Sequence, residues 1–108
     1  MNPKYYEAII QIRESPQEVY DTVIKEIKNN TKGVFLSKTE KTTNGEDYYI
    51  SSNRFALELG RKLKKRFKGE LKTSRRLFGK DGQTSKTLYR ATVMYRHKPR
   101  EKPLPFRR

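Results

Sequence analysis

Phe55, Leu59, Leu63 and Phe67 recur at every fourth position, with Ala56 and Gly60 beside them. This spacing predicts a helix over about residues 53–68. At about 100° per residue its apolar positions span a sector of roughly 140°. A helix with one such stripe covers one side of another layer. Arg54, Arg61, Lys65 and Lys68 fall in a narrow row on the far side, and Lys62, Lys64 and Arg66 broaden it. The single apolar stripe fits a sheet covered on one face only.

The rest of the chain supplies that sheet. Residues 4–13 read as a strand, with Tyr6, Ala8, Ile10 and Ile12 on one face by period two. Ser15-Pro16-Gln17-Glu18 opens a first helix, with Ser15 as N-cap and Glu18 completing a capping box. Val19, Tyr20, Val23, Ile24 and Ile27 form its stripe, and Asn29, Asn30 and Gly33 end it. A second strand covers 33–42. Thr43-Asn44-Gly45 signals a hairpin, and Asp47–Ile50 is the third strand. Ser51-Ser52 supplies the cap of the 53–68 helix, which Gly69 closes. Strands over 70–78 and 87–96 follow, joined by a polar loop over 79–86.

The order β-α-β-β-α-β-β predicts an α+β two-layer sandwich, with two helices on one face of a mostly antiparallel sheet. Residues 1–96 form one domain. Residues 97–108 are a basic, Pro-rich extended tail.

The 108-residue chain has a formal charge of +14. Residues 1–50 carry 7 Lys/Arg and 8 Asp/Glu, whereas residues 51–108 carry 19 and 4. The whole excess lies in the second half. Such asymmetry points to a polyanion, most often nucleic acid, met by one part of the molecule. The plainer alternative is a solvated basic surface. Yet Arg61-Lys62-Leu63-Lys64-Lys65-Arg66-Phe67-Lys68 is dense in one sign, and like charges at i,i+4 each cost a few tenths of a kcal/mol. A bound polyanion offsets that cost.

Three features are candidates for RNA binding. The helix row of Arg54, Arg61, Lys62, Lys64, Lys65, Arg66 and Lys68 can engage successive phosphates. A distal hairpin carries Arg75, Arg76, Lys80, Lys86, Arg90 and Arg96, with Phe78 as its stacking ring. Tyr89 and Tyr95 alternate with Arg90 and Arg96, so they are expected to face the core. The tail carries Lys98, Arg100, Lys102, Arg107 and Arg108, spaced by prolines. An ordinary surface hairpin and a disordered terminus are the alternatives for the last two. Gly79-Lys80-Asp81-Gly82 has the GxxG spacing of KH domains, but it lies between expected strands rather than helices.

Other classes find little support. The chain has no cysteine, and His97 is its one histidine. No disulfide framework, cysteine-ligated metal site or thiol nucleophile is available. Glu14, Glu18 and Asp21 suit a helix start, where they could face a basic protein neighbour. They and Glu46-Asp47 do not read as an acid/base pair. No phosphate-binding P-loop or HExxH pattern occurs. The basic helix is amphipathic, but its apolar side is claimed by the core, which argues against membrane binding. No enzyme, cofactor, metal or small-molecule substrate is expected. A soluble, cytoplasmic protein is.

Three stretches resemble the middle domain of the Nmd-type adaptor family. They are Glu7–Arg13, then Gly45–Ser52 leading into a helix with Ala56, and then Arg76-Leu77 followed by Asp81, Thr84, Tyr89, Arg90 and Thr92. The resemblance covers about residues 5–96. It implies a domain similar to a small rRNA-binding ribosomal protein, docked on large-subunit rRNA. Family members carry Cys-x-x-Cys zinc pairs before this domain and a β-barrel after it, and neither is in this sequence. The export role of the family is therefore not implied. The expectation is a free-standing, archaeal-type ribosomal protein, a structural component of the large subunit. It would sit there as a monomer among neighbouring ribosomal proteins. The second expectation is a transient maturation factor on the same subunit.

Overall fold

The computed structural model describes residues 5–81 and 86–97, with side chains over 5–77 and 89–97. Its elements are β1 (Ala8–Arg13), α1 (Gln17–Asn29), β2 (Leu36–Thr42), β3 (Gly45–Ile50), α2 (Asn53–Phe67), β4 (Glu70–Asp81) and β5 (Lys86–Arg96). The strands form one five-stranded sheet in the order β2-β3-β1-β5-β4. Neighbours are antiparallel except β1 and β5, which run parallel. This is the expected α+β sandwich.

β1 takes the middle of the sheet, and its alternation decides which face is buried. Ala8, Ile10 and Ile12 are fully buried. Ile10 lies level with Tyr48 of β3 on one side and Val93 of β5 on the other. Ile50, Ala91 and Tyr95 extend this inner face. Val19, Val23 and Ile27 of α1 cover it, as do Phe55, Leu59 and Leu63 of α2. Burying each such aliphatic or aromatic side chain contributes roughly 1.5–3 kcal/mol. Gly45 lets the β2–β3 hairpin lie against β1, since a β-carbon there would run into the Ile12 carbonyl oxygen.

Several expectations need correction. Tyr6 does not share the face of Ala8, because the chain bends at Glu7. The Glu7 carboxylate turns toward α2, and the Tyr6 ring crosses to the bare face, where it meets Tyr49 edge-on at 4.9 Å. Ser15 does not cap α1. Its hydroxyl donates back to the Arg13 carbonyl at 2.8 Å, and Pro16 holds the cap position without a side-chain hydrogen bond.

β2 starts at Leu36 rather than at 33. Asn30 Oδ1 accepts from the amides of Lys32 and Val34, and Asn30 Nδ2 donates to the Val34 carbonyl at 2.9 Å. This side chain takes backbone groups that a strand would need.

The described residues of the expected loop over 79–86, namely Gly79, Lys80, Asp81 and Lys86, are strand. β4 runs to Asp81 and β5 begins at Lys86. Their register shifts between Leu77 and Gly79, which leaves Phe78 as the extra residue of a bulge. Cross-strand pairing of β4 with β5 continues past the part of β5 that β1 pairs, which polar composition does not reveal. β1 pairs with β5 only from Ala91 onward. Arg76–Asp81 and Lys86–Arg90 therefore project past the sheet as a two-stranded ribbon, roughly 20 Å long at the usual rise per residue.

Candidate nucleic-acid interface

Both ends of α2 are fastened to β5, and this fixes the direction of its outer face. At the start, Ser52 Oγ accepts the Phe55 amide at 3.1 Å as an N-cap. Asn53 Nδ2 donates to the Tyr89 carbonyl, and Asn53 Oδ1 accepts the Ala91 amide, each at 2.9 Å. Glu7 Oε1 accepts the Asn53 amide at 3.1 Å, which sets a carboxylate against the positive end of the helix dipole. At the far end Lys68 turns left-handed with φ 72°, and its amide donates to the Lys64 carbonyl. The next amide, of Gly69, donates to the buried Tyr95 hydroxyl at 3.1 Å.

The cations on α2 are all exposed, but they divide into two groups. Lys62 Nζ lies 2.9 Å from Glu26 of α1. Arg54 lies 3.9 Å from Glu58, which also meets Lys32. Of these, Lys62 faces α1, whereas Arg54 keeps its place at the start of the outer row. On the outer side, Arg61, Lys64, Lys65 and Lys68 have no carboxylate of a described residue within ion-pair distance. Arg66 lies along the Phe67 ring, with its guanidinium carbon 5.2 Å from the centroid. From Arg54 to Lys68 the row is roughly 20 Å long, the length of several backbone phosphates.

The remaining predicted residues are more scattered. Arg75 and Arg76 are exposed on β4. Arg76 stands directly across from Arg90 on the bare side of the sheet, whereas Arg75 is across from Ala91 on the helix side. Arg96 is not at the hairpin tip. It sits at the other end of β5, level with Arg13 and 3.6 Å from Glu14. The side chains of Phe78, Lys80 and Lys86 lie outside those described, as do Lys98, Arg100, Lys102, Arg107 and Arg108 altogether.

Tyr95 faces the core as expected and is fully buried. Tyr89 does not. It is 43% exposed, and its cross-strand partner Leu77 is 59% exposed. Both point to the helix side of the ribbon, but α2 starts level with Ala91 and does not reach them.

The sequence reading missed a second cluster, on the face opposite α2. The Lys38 ammonium lies 4.6 Å from the Tyr49 ring centroid, Tyr49 meets Tyr6 edge-on, and the Arg90 guanidinium lies 4.3 Å from the Tyr6 centroid. Tyr49 donates to Glu40 at 2.8 Å. Its phenol is pushed up to about 12, by burial first and then by that carboxylate. The alternation of Tyr48 and Tyr49, one inward and one outward, was the signal available.

Among the described residues no group of His, Asp and Glu is placed to hold a metal ion, and no helix is long and apolar enough to cross a membrane. No curated protein matches the chain. The family model described as the NMD3 second domain matches residues 5–96, a span running from the residue before Tyr6 to the end of β5. By that match over most of its length, the chain belongs to the NMD3 family.

Proposed function

We propose that this domain is the RNA-gripping part of a factor acting on the large ribosomal subunit during its maturation. It binds rRNA without catalysing a reaction. Members of the NMD3 family are non-catalytic adaptors of ribosomal subunits. Family membership favours this reading over a permanent structural component of the ribosome. The observation that carries RNA binding is the outer row of α2. Arg61, Lys64 and Lys65 are exposed and point away from the core on a helix fastened at both ends, and exposed Lys68 follows at its C-cap. Cations held on a rigid element engage phosphates at a low ordering cost. Cytoplasmic, ribosome-associated residence and contact with neighbouring ribosomal proteins belong to the same proposal.

The test is the triple reversal of Arg61, Lys65 and Lys68 to Glu. It should abolish binding to large-subunit rRNA while circular dichroism and melting stay near wild type. Intact binding by the folded variant would refute the reading. Co-sedimentation separates factor from component: a factor is absent from mature, salt-washed subunits and present on precursors, whereas a component stays near one copy per subunit.

A further inference from the structure

Among the described residues, the helices cover one face of the sheet and no element covers the other. Across that bare face, cross-strand register lines up Lys38, Tyr49, Ile9, Thr92 and Ser74, from β2 to β4. Tyr49, Ile9 and Thr92 are half-buried, and Lys38 and Ser74 are exposed. Tyr6 joins this row by crossing over at Glu7, and Arg90 lies on its ring.

Charge is unevenly spread along this face. Toward the far end of β5 the ionic groups are paired, Arg13 with Asp47 at 2.8 Å, Arg96 with Glu14, and Lys72 with Glu70. Toward the ribbon stand Lys38, Arg76 and Arg90, with Lys38 and Tyr49 both bound to Glu40 and Arg90 lying on the Tyr6 ring. Arg76 and Arg90 are directly opposed across β4 and β5. A phosphate between them can accept hydrogen bonds from both guanidinium groups.

Aromatic rings beside an opposed cation pair match the repeating chemistry of an unpaired nucleic-acid strand, in which a flat base follows each phosphate. Bases stack on tyrosine rings and on guanidinium planes, and a base within a duplex is not available to do so. We infer that the bare sheet face binds a single-stranded RNA segment, with bases on Tyr6 and Tyr49 and a phosphate between Arg76 and Arg90. This deepens the rRNA-binding reading and rests on it. The domain would then grip RNA from two opposite sides, with α2 on the backbone of a duplex and the sheet on an unpaired strand beside it.

The experiment uses the full chain, a ten-nucleotide single-stranded oligoadenylate and a blunt RNA hairpin. Binding is read by anisotropy and by ultraviolet crosslinking with peptide mapping. The variant Tyr6→Leu/Tyr49→Leu should lose affinity for the single strand by at least about five-fold per ring. It should bind the hairpin as wild type does. Tyr6→Phe/Tyr49→Phe keeps both rings and should bind both RNAs, which controls for folding together with a melting curve. Crosslinked nucleotides should map to peptides containing Tyr6 or Tyr49.

Single-strand affinity unchanged in the Leu variant would overturn the inference while leaving the α2 reading intact. A wild-type chain that binds neither RNA would overturn both. On large-subunit precursors, crosslinks from these peptides to a ribosomal protein rather than to rRNA would show that the face docks protein, and would also overturn the inference.

Discussion

Gly60 on α2 passes so close to Val93 on β5 that a β-carbon on the glycine would stand 2.6 Å from Val93 Cγ1. The helix bearing the cation row is therefore seated directly on the sheet, and any side chain at position 60 lifts it. Gly60→Ala should destabilise the domain by about 1–3 kcal/mol, the usual cost of overpacking. Urea denaturation measures it. Adding Val93→Ala should cost less than the sum of the two single changes, because the two sites share one contact.

The two serines before the helices should behave differently. Ser52→Ala removes the side-chain acceptor of the Phe55 amide and should cost about 1 kcal/mol. Ser15→Ala removes only a bond to the Arg13 carbonyl and should cost clearly less. Equal midpoint shifts in parallel melts would contradict the caps assigned here.

RNA binding should fall steeply with salt. Neutralising about six phosphates predicts a log–log slope near −5, taking the duplex coefficient of about 0.9 per phosphate. Lys65→Ala should flatten the slope by about 0.9. Lys62→Ala should change it less, since its ammonium is held by Glu26. A wild-type slope near −1 would rule out the cation row as the main contact.

Asp47 sits on β3 under the Arg13 guanidinium, and both side chains are largely buried. Asp47→Ala leaves that cation without its partner and should destabilise by about 3–5 kcal/mol. Changing both residues to uncharged ones should restore part of the loss. A double variant less stable than Asp47→Ala would show that the pair is not the reason.

The phenols of Tyr5 and Tyr49 are pushed from 10.0 up to about 12, mainly by burial, with Glu7 and Glu40 adding to it. The folded chain keeps these protons at a pH where the unfolded chain has released them. Stability should be insensitive to these groups below about pH 10 and should decline between about pH 10 and 12. Tyr49→Phe should make that decline shallower in alkaline denaturation.

Element type was readable from the sequence because Ile10 and Ile12, or Leu59 and Leu63, carry a strong period. The Asn44-Gly45 turn was readable because its chemistry is local. What failed depended on contacts between distant segments. Tyr89 was assigned to the correct side of β5, but periodicity does not say how far α2 extends above it. Tyr6 was misassigned because a bend at Glu7 changes phase, and that bend is held by the distant amide of Asn53. The cation row was legible as a row, yet its division into Glu26-paired and outward-facing members required α1 beside it.

The parallel pairing of β1 with β5 sets a condition on folding. Ala8 faces Ala91, so the sheet's middle strand meets its second neighbour only after nearly all of the domain is available. Closing so long a loop makes folding slow relative to a domain built from local contacts. During synthesis, β1 must wait for β5, and α2 has its two fastening points, Ala91 and Tyr95, only then. A partly made chain thus lacks an oriented cation row, and commitment to RNA is postponed until the last strand has docked.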